Sequence, residues 1–360
     1  MKVQDLMYEK AELTHSKTPP EPIVLSTRIR LARNLENCHF PDWSKVNKRK
    51  EIFKTCSDSI SKLNAFEHAS ILNCEDLTDI ESGALVERHL ISPEFAEKKD
   101  GSGVLINADQ SIAIMINEED HLRIQVLRNG YKFNATWKVI DEIDNEIDAC
   151  LDYAFSPNLG YLTACPTNLG TGLRASIMMH LPGLVIVGQM EKVIRACNHL
   201  NLAVRGIYGE GSEATGSIFQ ISNQQTLGES ETEIIRKLTG VLDTVIEQEK
   251  NARRQLVAAE QVRIFDKIGR AFGILCNGYS VNSNEAMNLL SLMRLGVDLN
   301  ILQNKYRRMI DRLLIEIQPS HIQLMMGEDV DPGERDSFRA MILREKFRAI
   351  DSLNFEDLNA

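Results

Sequence analysis

The stretch "GVLINADQSIAIMINEEDHLRIQVLRNG", Gly103 to Gly130, decides the fold class. Ile112, Ile114 and Ile116 recur at every second position, and so do Leu122, Ile124 and Val126. A period of two marks strands whose alternate side chains face one way. Asn107–Gln110 and Asn117–Asp120 break the apolar runs with turn-forming residues, which predicts an antiparallel hairpin series. Its second turn gathers three acids, Glu118, Glu119 and Asp120, with His121 and Arg123 directly behind them. Like charges repel and carboxylates are poor strand formers, so this crowding needs a reason.

Outward from that segment, residues 1–22 read as a short polar lead-in ending in the loop "TPPEP". "IVLSTRIRLARN" is β-rich and apolar, and residues 44–70 are polar and helix-compatible. "GYLTACPTNLGTGLRASIMMHLPGL" mixes a loop rich in Gly, Thr and Pro with a helical continuation, and "GQMEKVIRACNHLNL" has helical spacing. "AVRGIYGEGSEATGSIFQISN" reads as strand, Gly-rich loop, strand. Ser230 and Glu233 form a capping box that opens a helix. From about Asn251 four amphipathic helical patterns follow without a strand signal, which places a domain boundary near residue 254.

With 360 residues the chain can bury a large core, with about two domains expected at this length. Its 43% apolar and 26% charged composition is that of a soluble globular protein. No run approaches the ~20 apolar residues of a membrane span, and the N-terminus does not read as a secretory signal, so no membrane partner is expected. Seven cysteines without C-x-x-C pairs point to reduced thiols and a cytoplasmic location, not to a zinc site. The net charge of −10 disfavours nucleic acid and suits basic partners.

The common nucleotide motifs are missing, and the acids of "GEGSEATG" would repel a phosphate. Arginines instead recur at strand ends and turns: Arg28, Arg30, Arg123, Arg174 and Arg205. Arg28 and Arg30, two apart on a strand, point the same way. Converging guanidinium forks make a cage for polyphosphate, although surface arginines with local carboxylate partners fit the spacing as well. Glu118, Glu119, Glu210 and Glu213 lie in two loops flanked by these arginines. They could bind a metal, act as a base, hold a cationic substrate, or be solvated turn acids.

Together "STRIRLARN", "ERHLISP", "NEEDHLRIQ", "CPTNLGTGLRAS", "RGIYGEGSEATG" and "FQISNQQTLGESE", in order across residues 24–235, resemble the phosphagen (guanidino) kinase family. The resemblance is closest to its bacterial protein-arginine kinase branch, the McsB type. It implies an α+β fold: a catalytic domain over residues 1–254 with an antiparallel β-sheet flanked by helices, related to glutamine synthetase, then an all-α domain over 255–360. It implies an ATP site at Ser26, Thr27, Arg28, Ile29, Arg30, His89, Arg123, Arg174, Ala175, Ser176, Ile177, Met178, Arg205, Gly206, Ile207, Tyr208, Gly209 and Glu210. Glu119 matches the carboxylate that binds the guanidinium and serves as base, Glu210 the second such carboxylate, and Cys165 the reactive cysteine beside them. Glu118 is expected to support the pair or a magnesium shell, and Mg²⁺ to arrive with ATP without a dedicated ligand cluster. Asp120 and Glu213 are weaker candidates.

Small-molecule members of the family carry a helical domain of about a hundred residues ahead of the "STR" segment, whereas here 25 residues precede Ser26. The guanidinium pocket is therefore expected to admit arginine displayed on a protein. In the C-terminal region, Arg335, Asp336, Ser337, Phe338, Arg339 and Ala340 match the R-D-x-x-R-A pattern of an allosteric phosphoarginine pocket. Arg335 and Arg339 at i, i+4 could fork one phosphate, or form an ion-pair row with Asp336 and Glu345. The resemblance further implies a homodimer, a zinc-finger activator, a Clp-type protease partner, and a role in stress response and quality control. Two rival readings are a kinase of free arginine or creatine, and a non-catalytic phosphoarginine-binding adaptor.

Overall fold

The computed structural model describes residues 3–16, 19–207, 214–327 and 329–355. The strands are β1 Val24–Arg33, β2 Ser70–Asn73, β3 Gly103–Ile106, β4 Ile112–Ile116, β5 Leu122–Asn129, β6 Phe155–Ser156, β7 Gly160–Tyr161, β8 Leu173–His180, β9 Leu202–Gly206 and β10 Ile218–Asn223. Eight of them form one sheet in the order β2-β3-β4-β5-β1-β8-β10-β9, while β6 and β7 pair separately. The chain divides by contacts into two units, each discontinuous in sequence. The first is Met1–Pro19, Ser26–Ile177 and Ser222–Gly240, and the second is Pro20–Leu25, Met178–Ile221 and Val241–Ala360.

In the first unit the hairpin series folds as its periodicity expects. Ile112 pairs with Val126, Ile114 with Ile124 and Ile116 with Leu122, so both apolar sets share one face. β4 is buried at every residue, because both faces of the sheet are covered there. The helix Phe133–Asp148 packs on β5 and buries Ile140, Ile143 and Ile147. On the other face Val104, Ile106, Ala113, Met115 and Leu127 pack with Leu85, Leu90 and Phe95. The lead-in, expected to be short and polar, carries a buried apolar pair. Val3–Tyr8 is a helix that buries Val3 and Leu6 in that cluster. The Leu6 carbonyl accepts from Arg88 Nη1 at 3.2 Å and Gln110 Nε2 at 2.7 Å. Only two buried apolar residues, Val3 and Leu6, mark this helix, which is too short for a clear periodic signal.

β1 pairs antiparallel with β5, with Arg28 opposite Leu127, Arg30 opposite Gln125 and Ala32 opposite Arg123. Paired residues share a face, so Arg28, Arg30 and Arg123 lie on one side of the sheet. Ile29, Leu31 and Arg33 lie on the other. Arg33 is buried, and its Nη2 meets Asp144 Oδ2 of the helix at 2.7 Å. Its Nη1 donates to the carbonyls of Ala32 and Thr171 at 2.9 Å each, and the guanidinium sits 3.5 Å above the Tyr161 ring. Gly172 has φ +64°, and a Cβ there would lie 2.7 Å from Arg33 Nη1. The glycine thus lets the loop before β8 close over this charge.

The second unit has its own core of Ile264, Ile268, Leu290, Met293, Leu313, Leu343 and Phe347. Helices Ser283–Asp298, Arg307–Glu316, Pro319–Met326 and Pro332–Arg348 supply most of it. Pro319–Met326 separates from the preceding helix because proline favours a helix start and cannot continue one. Buried charges are neutralised in pairs: Arg253 with Glu249 at 2.6 Å and Asp298 at 2.5 Å, and Arg294 with Asp311 at 2.7 Å. The helix Glu231–Asn277 opens with the expected Ser230–Glu233 capping box, runs through residue 254, and departs from helical geometry at Glu260.

Removing the Asp144 carboxylate would leave the Arg33 charge buried and unmatched. Asp144→Ala should cost about 3–5 kcal/mol of stability, read as a fall in the chemical denaturation midpoint, while Arg33→Met with Asp144→Leu should recover much of it.

Candidate active site

The β4–β5 turn is built rigidly. Asn117 has φ +61°, its amide donates to the His121 carbonyl at 3.0 Å, and its side chain donates to the carbonyls of Arg49 at 2.9 Å and Gly101 at 2.7 Å. The three acids on this frame face different surroundings. Glu118 is buried, and its Oε1 accepts from Ser92 Oγ at 2.7 Å and pairs with Arg123. Burial pushes the Glu118 carboxyl up, but Arg123, Ser92 and the Glu119 amide outweigh it and hold it below the usual range. Asp120 is buried and accepts from Asn34 Nδ2 at 2.6 Å and the Ala164 amide at 2.7 Å. Burial nonetheless raises its pKa. Glu119 is half-buried, and it is raised by burial first and then by repulsion from Asp120 and Glu118, against a hydrogen bond with Cys165.

Arg30, Leu31, Ala32, Glu118, Glu119, Asp120, Arg123, Thr167, Asn168, Gly172 and Arg174 line one cavity of about 120 Å³. Arg28 is depressed to about 10 by burial and then by repulsion from Arg123 and Arg174. Burial, Arg123, Arg28 and Arg174 depress Arg30 further, against a smaller opposing pull from Glu118. The buried Nε of Arg30 has no hydrogen-bond partner among the described residues. Arginines gathered this closely have one favourable partner chemistry, a polyanion with many oxygens.

The expected ATP residues divide by strand alternation. Ser26 and Ser176 share the arginine face, and Ser176 Oγ accepts from Arg28 Nε at 3.5 Å. Ile29, Ala175 and Ile177 are core residues with no exposed surface, so only their backbone could serve a ligand. Thr27 is also buried, accepting from the Lys132 amide at 3.0 Å and donating to the Gly130 carbonyl at 2.7 Å, which fixes the exit of β5. Arg174 donates from Nη2 to Ser222 Oγ at 3.2 Å. His89 has φ +61°, and its carbonyl accepts from Gln125 Nε2 at 2.8 Å. Met178, Arg205, Gly206 and Ile207 belong to the second unit, where Arg205 is exposed at the end of β9 and Met178 and Ile207 border its core. Tyr208, Gly209, Glu210 and Glu213 lie outside the described residues.

Cys165 is half-buried, and its Sγ lies 3.0 Å from Thr167 Oγ1. Ser92, Asn34, Thr167 and Asn168 are the site residues that motif reading did not single out. Ser92 left a trace, as an N-cap serine ahead of Pro93, whereas Asn34 looked like the end of a strand.

Two family descriptions match the chain: the C-terminal catalytic domain of ATP:guanido phosphotransferases over residues 51–252, and the McsB protein-arginine kinase C-terminal domain over 261–358. The chain belongs to the ATP:guanido phosphotransferase family. It is an enzyme that phosphorylates guanidino groups. Among similar proteins, the protein-arginine kinase of Halothermothrix orenii is 42% identical, over 96% of this chain and 99% of that one. That of Brevibacillus brevis is 43% identical, over 93% and 94%. The crystal structure of a lombricine kinase superposes with TM-score 0.57 at 27% identity, covering 67% of this chain and 71% of that one. For a guanidino kinase, the arginine face suits the phosphates and Glu119 suits the guanidinium.

In the second unit the segment expected to bind phosphoarginine is arranged differently from a surface fork. Arg335 is half-buried, with Nη1 donating to Gln323 Oε1 and the Val330 carbonyl at 3.3 Å each. Arg339 is 1% exposed and donates to the carbonyls of Ile317 at 2.7 Å and Val281 at 3.0 Å, and to Asp336 at 2.5 Å. The pair at i, i+4 therefore does not share an open face, because Arg339 turns inward to satisfy two loop carbonyls. Ala340 is a core residue, Ser337 donates to the Gly333 carbonyl at 2.9 Å, and Glu345 meets Lys346 instead of joining an arginine row. Ser337 and Phe338 line an open groove of about 870 Å³ with Tyr279, Met341 and Arg344.

Arg30→Met removes one of the repelling charges, and two opposed effects should follow. The ligand-free variant should melt at a higher temperature than wild type, while its ATP affinity by calorimetry falls by about tenfold or more. A variant that melts lower and binds ATP equally well would remove Arg30 from the phosphate site.

Proposed function

We propose that this chain transfers the γ-phosphoryl group of ATP to arginine side chains of proteins. The observation that carries the reading is the cavity in which Glu119 faces Arg30, Arg123 and Arg174. Removing a proton from a guanidinium at neutral pH costs on the order of 9 kcal/mol, so the acceptor must be clamped and a base held against it. Glu119 is the base, helped by Glu210, and its raised pKa brings it nearer the operating pH. As the N–P bond forms, the bond from phosphorus to the ADP oxygen breaks, and the guanidinium proton passes to the Glu119 carboxylate. Arg28, Arg30, Arg123, Arg174 and Arg205 offset the charge on the transferring group. Mg²⁺ bound to ATP supplies further charge neutralisation. Protein substrates accord with the names of the relatives and with the net charge of −10, which suits basic clients.

The wider setting belongs to the same proposal. Residues 1–254 act as the catalytic part and 255–360 as a regulatory part that dimerises and reads phosphoarginine. A zinc-finger activator and a Clp-type protease act as partners, in a cytoplasmic stress response. No helix among the described residues is long and apolar enough to cross a membrane. For the phosphoarginine site the groove at Ser337 and Phe338 supports the reading, with Arg335 nearby and Arg339 as its buried support.

Glu119→Gln and Glu210→Gln should each abolish phosphoarginine on a basic protein, by about 10²-fold or more, while ATP binding by calorimetry is kept. Retained activity in both would remove the pair from the mechanism. Because Glu119 must be ionised to accept the proton and its pKa is raised, activity should fall with acidification from a pH above the ordinary carboxylate range. Rapid phosphorylation of free arginine would favour the small-molecule reading.

Calorimetric titration with phosphoarginine tests the second site. Binding should be lost in Arg335→Ala and kept in Glu119→Gln, and the reverse pattern would place the ligand in the catalytic cavity.

A further inference from the structure

Of the three acids in the β4–β5 turn, Asp120 has no place in the chemistry above. It borders the cavity but is only 2% exposed, and its bonds tie it to the protein. A single oxygen, Oδ1, accepts from Asn34 Nδ2 at 2.6 Å and from the Ala164 amide at 2.7 Å. Ala164 immediately precedes Cys165. Asn34 completes the connection, donating also to the Leu162 carbonyl at 3.0 Å and accepting from the His121 amide at 2.9 Å. His121 adds a further tie: Nδ1 accepts from the Leu35 amide at 3.1 Å and Nε2 donates to the His39 carbonyl at 3.0 Å. Burial pulls His121 down to about 4, so it stays neutral near neutral pH and keeps both bonds.

The stitch joins three segments that the chain itself keeps far apart: the end of β1, the turn that carries Glu119, and the loop that carries Cys165. Glu119 and Cys165 then lie at its open end, where Cys165 opposes the rise of the Glu119 carboxyl. We propose that Asp120 is a positioning residue which, through Asn34 and the Ala164 amide, fixes the Glu119 turn against the Cys165 loop and so sets the separation of base and thiol. A neutral asparagine could tie the same loops with less desolvation cost, so the carboxylate has a second effect through its charge. That charge repels the neighbouring Glu119 carboxylate and favours its protonated form.

The proposal rests on the reading of Glu119 as base, and one readout is independent of it. Asp120→Ala, Asp120→Asn and Asn34→Ala are compared with wild type in kcat, KM for ATP, pH profile, and the rate of Cys165 alkylation by iodoacetamide, followed by peptide mass spectrometry without ATP or acceptor. Asp120→Ala should lower kcat by about 10- to 100-fold with little change in KM for ATP, since the base is misplaced but the arginines are not. Its Cys165 should be alkylated several-fold faster, because the loop is untied and a nearby negative charge is gone. Asp120→Asn keeps an oxygen for both donors. It should retain most of kcat, with the acidic limb of its pH profile moved to lower pH. If Asp120→Ala does not fold, as judged by lost ATP binding, Asn34→Ala should show the same kcat and alkylation pattern.

Unchanged kcat or unchanged alkylation in the folded Ala variant overturns the proposal. So does an Asn variant as impaired as the Ala one, which would assign the effect to charge alone. Should Glu119→Gln prove active, the alkylation comparison still reads the stitch, because it needs no phosphoryl transfer.

Discussion

Arginines repel one another, and a protein that gathers four of them must hold them by something stronger. Arg28 and Arg30 ride on β1, Arg123 on β5 and Arg174 on β8, and the strands cannot release them without giving up the ladder. The faces beneath are filled by Ile112, Ile114, Ile116, Leu122, Ile124 and Val126, all at or near zero exposure. Hydrophobic burial on one face thus stabilises electrostatic strain on the other. A polyphosphate would relieve that strain, and on the proposed reading the arginines are organised in advance for such a charge.

The acid triplet works because neighbours separate three similar carboxylates. Arg123 and Ser92 keep Glu118 ionised, and Asn34 with the Ala164 amide holds Asp120 in place. Glu119 stays partly open, and burial together with repulsion from Asp120 and Glu118 raises its carboxyl. Adjacent positions in a tight turn point in different directions, so each acid reaches a different environment. The crowding that looks unfavourable along the chain is what allows the division.

Legibility in the sequence followed the range of the interactions. The hairpin register from Gly103 to Gly130, the shared face of Arg28 and Arg30, and the Ser230 capping box rest on periodicity or on contacts a few residues apart. The buried helix Val3–Tyr8 did not show, because its partners Arg88 and Gln110 lie some eighty to a hundred residues away. Nor did the inward turn of Arg339, whose acceptors are carbonyls of Ile317 and Val281 on other segments. An i, i+4 spacing states which residues are neighbours on a helix, not which side of that helix is buried.

By itself the sequence determined the strands of the Gly103–Gly130 hairpin series, their alternation, the turn chemistry, and motifs specific enough to imply guanidine phosphorylation, but it read a helical continuation where Leu173–His180 is a strand. It determined these because backbone periodicity and local hydrogen bonding depend on residues close in the chain. Tertiary structure alone decided which arginine meets which carboxylate, which of Glu118, Glu119 and Asp120 stays partly open, and that Asn34 links the turn to the Cys165 loop. Those outcomes depend on desolvation and on partners brought together only when the sheet closes, and neither quantity is written in the order of residues.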